Sequence, residues 1–455
     1  MAKLATVIGA GPVGCVLALL LRKRGYEVVI YEKRADMRRT EMAAGRSINL
    51  VLTPRGLRAL DLLGLRDEVR TLTVPVYGRM MHSLSGELAY QPYGKDEREF
   101  NDSIGRGELN RFLLDKAEAA GVSIHFEAGL ARLDLEGGML HLEDGREVEA
   151  KLVFGADGAP SAVRESLAAA GKCERSLNML PDGYKELLFP ANEDGSYRMD
   201  AKALHIWPRG DHFLMGLPNQ DGSFTGTVYM PNEGPVSFAA LDTAAKVEAF
   251  FAEHYPDSIE VIGPSLGEQW FANPTGHLGT VRSFPWHLED RVLLVGDSAH
   301  GVVPFFGQGL NCGFEDCAVL EALFNEHGDD DLGVVFRAYE EARKPAGDAI
   351  ADMALENYVE MRAKVADPAF LLRKKVQKRL EGALAPRYRS RYAMVVYSSI
   401  PYHLAQQAGA IEAEILDELC AGIEDPEQVD LARAEELVAA KLAPFVSEHG
   451  LDLDF

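Results

Sequence analysis

The first 32 residues constrain the fold more than any other stretch of the chain. An apolar run, Leu4, Ala5, Thr6, Val7 and Ile8, leads into Gly9-Ala10-Gly11-Pro12-Val13-Gly14 and then into a helical apolar segment. Strand, glycine turn and helix open a βαβ unit in which each glycine has a steric task. Gly9 permits the tight turn, Gly11 lets a pyrophosphate approach the backbone, and Gly14 allows the helix to pack closely on the strand. Gly25 is suited to end that helix. Residues 26–31 (YEVVIY) read as the second strand, and Glu32 follows where an acidic side chain holds ribose hydroxyls, which favours an adenosine diphosphate moiety without a 2′-phosphate.

Two later segments repeat the design. Residues 152–164 (LVFGADGAPSAVR) give an apolar strand, a turn containing Asp157 and a helix start with Ser161 as a suitable cap. Residues 292–317 (VLLVGDSAHGVVPFFGQGLNCGFEDC) join a short buried strand to Asp297 and then to a glycine-rich helix start at Gly309, Leu310 and Asn311. An Asp at that place can accept hydrogen bonds from ribityl hydroxyls. The amides of the helix N-terminus can face the anionic edge of a flavin pyrimidine ring. Any one of these segments fits an ordinary αβ turn. Taken in this order, they resemble the group A flavoprotein monooxygenases, whose FAD domain folds like that of para-hydroxybenzoate hydroxylase. The resemblance implies tightly but non-covalently bound FAD. It places Arg106, in GRGELN, over the flavin side and Leu130 at a backbone contact to the adenine.

Composition narrows the remaining classes. The 455 residues, 47% of them hydrophobic, suffice for two or three packed domains. A net charge of −23 disfavours nucleic acid and anionic membranes as partners, since phosphates would be repelled. The five cysteines are scattered without metal-ligand spacing, so no metal site is expected. No apolar run is long enough to span a bilayer and no signal peptide precedes the first strand, so a reduced cytoplasmic protein is expected. Monomer and homodimer both remain open.

Strand and helix signals alternate in a way that predicts an α/β fold: a Rossmann-like FAD-binding domain (1–72, 100–183 and 287–345), an inserted, mainly antiparallel substrate-binding sheet (73–99 and 184–286) and a C-terminal helical region (346–455). ALHIWPRG, HFLMGLP and FTGTVYM read as consecutive strands of that sheet.

Within GRMMHSLSGELAYQPYG, two extended runs fold about Ser85-Gly86, so that Arg79 and Tyr93, placed symmetrically about Gly86, should approach one another. A guanidinium and a phenol can make a carboxylate clamp, although the residues alone favour a surface Arg beside a half-buried Tyr. In a helix around 350–365, Asn357 shares the apolar face of Ile350, Met353 and Met361 and needs a partner. The basic run Arg373, Lys374, Lys375, Lys378 and Arg379 reads as a solvated face, with docking of an anionic cofactor as the alternative.

The segments GRSINL, GRMMHSLSG, PYG, YKEL, HIWPRG, PFFGQG and ENYVEMR together resemble the kynurenine 3-monooxygenase family across roughly the first 400 residues. The resemblance assigns the substrate carboxylate to Arg79 and Tyr93, and the same pocket to Asn357 and Tyr392. Phe305 and Phe306 fit its apolar wall and equally fit core packing. The implied reaction is FAD-dependent hydroxylation of L-kynurenine. NADPH, bound transiently, reduces the flavin, and O₂ adds at flavin C4a to give the hydroperoxide oxidant. No side-chain general base is demanded. Two other readings stand beside it: a related hydroxylase for another aromatic amino or carboxylic acid, and a non-catalytic binding protein that keeps the fold.

Overall fold

The computed structural model describes residues 3–39, 49–364 and 367–455. Residues 45–48 of the GRSINL stretch and residue 365 of the expected helix lie outside them.

The opening signals appear as strand Leu4–Ile8, helix Pro12–Lys23 and strand Glu27–Tyr31. They belong to a six-stranded sheet in the order His287–Leu288, Val292–Leu294, Val153–Gly155, Leu4–Ile8, Glu27–Tyr31, Ser123–His125. All neighbours are parallel except the edge pair His287–Leu288 and Val292–Leu294. A parallel sheet covered on both faces requires continuously apolar strands, and Val7, Ile30, Phe154 and Leu293 are fully buried. Register decides where the motifs go. Ile8 lies beside both Gly155 and Tyr31, and Gly155 beside Leu294. The strands leading into the glycine turn, Glu32, the GADG turn and the GDSAH loop therefore end level with one another. They end at the carboxyl edge, where open α/β sheets bind ligands.

A second sheet has seven strands in the order Gly276–Phe284, Glu174–Phe189, Phe224–Pro231, Phe213–Pro218, Ala203–Pro208, Gly78–His82, Leu88–Pro92. It is antiparallel apart from the pair Ala203–Pro208 and Gly78–His82. Strand Glu174–Phe189 runs straight through the expected boundary between residues 183 and 184. The boundary expected at 345/346 falls inside the helix Leu332–Val359, which continues through Pro345. Proline removes one intrahelical hydrogen bond, but Tyr339, Ala346, Ile350 and Met353 are fully buried on both sides of it, so packing carries the helix across.

Val303, Phe305, Ala354 and Tyr358 pack against Met81, Leu204, Phe213 and Tyr229, joining the 304–306 turn and the long helix to one face of the second sheet. The later helices, including Pro368–Ala383, Arg391–Tyr397 and Tyr402–Cys420, share a separate core with the long helix. Three of the five residues of the basic run on Pro368–Ala383 are paired: Arg373 with Asp417, Lys374 with Glu360 and Arg379 with Glu427. Among the described residues no helix is long and apolar enough to cross a membrane.

Candidate functional site

The glycine turn separates two tasks that the sequence presents together. A Cβ on Gly9, which adopts φ +102°, would stand 2.4 Å from the Ala156 carbonyl oxygen, and one on Gly14 would stand 2.1 Å from the Gly9 carbonyl oxygen. Both glycines serve the packing of strand, turn and helix. Around Gly11, by contrast, no described heavy atom beyond its chain neighbours lies within 4 Å of the Cβ position. That space is open at the strand edge, where a pyrophosphate approaches the backbone. Gly14→Ala is therefore expected to destabilise the apoprotein by about 1–3 kcal/mol through overpacking. Gly11→Ala should leave apoprotein melting unchanged and weaken FAD binding. Melting curves with and without added FAD distinguish the two.

Glu32 is 5% exposed. Its carboxylate accepts the Ala10 N–H at 2.8 Å and, from Arg34, the backbone N–H at 2.9 Å and Nε at 2.7 Å. Burial opposes ionisation, but these donors and the Arg34 charge hold the carboxyl below its ordinary range. The Arg34 fork occupies lone pairs a ribose would use, and its side chain, 54% exposed, is the partner able to move aside. Leu130 is a core residue, so any part it plays in binding falls to its backbone.

At the other end of the sheet edge, Asp297 opens the short helix that follows Gly296. Its carboxylate is accessible and takes no hydrogen bond or ion pair from the described residues. Burial nevertheless raises its pKa, opposed by the charges of His300 and Arg106. Arg106 begins the helix Arg106–Ala119 with an exposed side chain. Gly309, Leu310 and Asn311 form the first turn of the helix Gly309–His327, whose leading amides have no partner within the helix.

Two expected ligands spend their side chains on the protein itself. Asp157 accepts the Ala162 N–H at 2.7 Å and the Ser298 hydroxyl at 3.1 Å, fastening the GADG turn to the GDSAH loop. Asn311 accepts the Thr53 N–H at 2.9 Å and donates to the carbonyls of Val51 and Gly307, at 2.8 and 2.9 Å. What either residue offers a cofactor is backbone.

Behind this loop lies a buried ionic chain that sequence reasoning missed. Asp316, wholly buried, accepts the Gly296 N–H at 3.0 Å, His300 Nε2 at 2.6 Å and Arg343 Nε at 2.6 Å. Arg343 also donates to Glu315 at 2.7 Å, and Glu315 pairs with Arg55. Arg55 in turn donates to the carbonyls of Val395, Met394 and Ile400 at 2.8, 3.1 and 2.7 Å. The one sequence signal is the acidic pair Glu315-Asp316 between the apolar residues Phe314 and Cys317.

The hairpin does not pair as expected. Gly78 faces Pro92 and Arg79 faces Gln91, so the turn is centred one residue earlier than Gly86 requires, and Tyr93 lies beyond the strand with its N–H on the Tyr77 carbonyl at 2.9 Å. Arg79 and Tyr93 are diagonal rather than opposed, a separation that long side chains bridge. The guanidinium carbon stands 5.5 Å from the Tyr93 ring centre and 5.9 Å from that of Tyr392, and the two rings stack at 5.6 Å. Arg79 Nε is buried without a hydrogen-bond partner. Tyr392 accepts from Asn101 Nδ2 at 2.9 Å, a contact no motif announced. Burial raises the pKa of Tyr93 against the pull of Arg79 and raises that of Tyr392 as well, so both phenols keep their protons.

The phenylalanines divide between the two roles weighed for them. Phe306 is half-buried and stacks with Tyr392 at 5.9 Å. Phe305 is buried between Tyr358 at 4.2 Å and Tyr229 at 5.1 Å, as a core residue. Its carbonyl accepts the Asn357 amide at 2.5 Å, which supplies the partner Asn357 needed.

Comparison with known proteins bears on this geometry. Residues 3–259 and 269–354 match the family model described as an FAD binding domain. Over 450 residues the chain is 47% identical to the kynurenine 3-monooxygenase of Myxococcus xanthus, covering 98% of this chain and 96% of that protein. The chain belongs to the kynurenine 3-monooxygenase family. A second member of that family, from Xanthomonas axonopodis pv. citri, is 41% identical over 449 residues, 98% of each chain. Among solved structures, the tetrameric form of 2-methyl-3-hydroxypyridine-5-carboxylic acid oxygenase superposes with a TM-score of 0.64 at 21% identity, over 82% of this chain and 96% of that one. PqsL of P. aeruginosa in complex with 2-aminobenzoylacetate gives 0.64 at 22%, over 79% and 96%. These two likenesses show the fold. As a kynurenine 3-monooxygenase family member the protein is an FAD-dependent monooxygenase. The open space at Gly11, the unengaged Asp297 carboxylate and the amides at Gly309 to Asn311 fit that cofactor.

Proposed function

We propose that the protein hydroxylates L-kynurenine to 3-hydroxy-L-kynurenine, with NADPH as reductant, O₂ as oxidant and FAD as the bound cofactor. The observation that carries the substrate assignment is Arg79. It is a guanidinium beside two tyrosine rings that stack on one another, with a buried Nε that has no hydrogen-bond partner. A buried donor is completed by an acceptor. An amino-acid carboxylate supplies one, with the Tyr93 hydroxyl as a further donor.

When bound, FAD supplies the redox chemistry, taking a hydride from NADPH and activating O₂. The residues of this chain hold and enclose. Arg79 and Tyr93 anchor the carboxylate end, while Tyr392 and Phe306 present parallel faces for the aminophenyl ring. Asn357 fixes the 304–306 turn by its bond to Phe305, and thereby the wall carrying Phe306. Keeping water from the reacting centre suppresses unproductive release of hydrogen peroxide. The ring's own amino group activates the position ortho to it, so no side-chain base is required. We place the enzyme in the cytoplasm: all five cysteines are free thiols, four of them buried, as expected of a reducing compartment.

The test is anaerobic stopped-flow reduction of the holoprotein by NADPH with and without L-kynurenine, followed by oxygen and product identification. Faster flavin bleaching with L-kynurenine and formation of 3-hydroxykynurenine are the expected results. Bleaching without hydroxylated product would keep the flavoprotein and discard the substrate, pointing to another aromatic acid.

A further inference from the structure

The strand Gly78–His82 carries Arg79, and only the edge strand Leu88–Pro92 lies outside it. The hairpin is thus held to the sheet by one flank, on which Arg79 pairs with Leu204 and Met80 with His205, and by whatever fastens its end. That end is His82. Its ring is buried and stacks on Trp207 at 4.0 Å. Nδ1 lies 2.6 Å from Asp257 Oδ2, and Nε2 lies 2.8 Å from His205 Nδ1. Arg209 Nη1 donates to the His82 carbonyl at 3.0 Å.

The protons in this chain can be counted. His205 Nε2 stands 2.9 Å from the Asp200 carbonyl oxygen, which only accepts, so that nitrogen carries a hydrogen. Burial pushes the His205 pKa down to about 4, so the ring is neutral and its Nδ1 is bare. His82 Nε2 must then be the donor between the two rings. His82 Nδ1 faces a carboxylate oxygen at hydrogen-bond distance, and two bare acceptors there would repel, so a proton lies between them. The other Asp257 oxygen accepts Trp207 Nε1 at 2.8 Å. Burial opposes ionisation of Asp257, but the bonds from His82 and Trp207 hold its carboxyl below the ordinary range.

We propose that His82 is a positioning residue for substrate binding: its hydrogen bond to Asp257 fixes the strand on which Arg79 meets the substrate carboxylate. The polar and titratable groups facing it are Asp257, His205, Trp207 and Arg209, of which Asp257 is the acid. The inference rests on the carboxylate role given to Arg79 above.

His82→Asn should raise the KM for L-kynurenine by about tenfold while kcat stays within about twofold, the pattern of lost ground-state binding. Asp257→Asn should do the same, and the double variant should add nothing further because both break one contact. A 2-aminophenyl ketone without a carboxylate should be handled equally by parent and variants. An unchanged KM for L-kynurenine in both single variants overturns the positioning role. If His82→Asn fails to fold, Asp257→Asn decides. If Arg79→Ala leaves KM unchanged, the carboxylate reading falls separately.

Discussion

Arg79→Ala raises the KM for L-kynurenine by roughly thirtyfold or more, the expected consequence of removing one partner of a buried charged contact worth about 2–5 kcal/mol. The size follows from the surroundings. The guanidinium has two tyrosine rings beside it and a buried Nε without a hydrogen-bond partner, which the substrate carboxylate can engage. Arg79→Lys keeps the charge and loses the planar fork, so it should fall between parent and Ala. Steady-state kinetics with saturating NADPH measures all three, and an unchanged KM in Arg79→Ala refutes the assignment. The fold is expected to tolerate the change, because the strand's backbone pairing does not use this side chain.

The second large effect is expected at Arg343. Arg343→Leu leaves Asp316 and Glu315 with one cation fewer inside a dry core, which costs about 3–5 kcal/mol of stability. Because Asp316 holds the Gly296 N–H and His300, the same change should loosen the loop that presents Asp297 and release FAD more readily. Adding Asp316→Asn to Arg343→Leu removes one of the stranded charges, so the double variant should be more stable than the single one. Thermal unfolding of the holoprotein followed by flavin fluorescence reads both effects, and a double variant weaker than Arg343→Leu contradicts the ionic account.

The same site sets an acid limit. Burial opposes ionisation of Asp316, yet His300 and Arg343 hold its pKa down to about 2. A depressed carboxylate contributes its full stabilisation above the unfolded value of about 3.9 and loses it as pH falls toward the folded value. Stability lost between those limits in the parent should be largely missing from Asp316→Asn.

Much of the nucleotide half was legible because its signals are local. A glycine that must adopt φ +102°, or that would carry a Cβ 2.1 Å from a carbonyl oxygen, declares itself within a few residues of sequence, and so does an apolar strand bound for a parallel sheet. The hairpin was legible as a hairpin. Its register was not, since residues 83–87 accommodate turns centred one position apart and only pairing with Ala203–Pro208 selects between them. Resemblance alone brought Tyr392 to Tyr93, nearly three hundred residues away in the chain.

By itself the sequence determined the order of strand, turn and helix around the cofactor and the acidic residues at the sheet edge. Those follow from backbone sterics and from which side chains can pair with which ligand. Tertiary structure alone decided that Asp157 and Asn311 brace loops with their side chains, that Phe305 is core while Phe306 faces Tyr392, and that Arg55, Glu315, Arg343, Asp316 and His300 form one chain of charge. A side chain's hydrogen-bonding capacity is written in its chemistry, but the partner that uses it up is fixed only when distant segments pack.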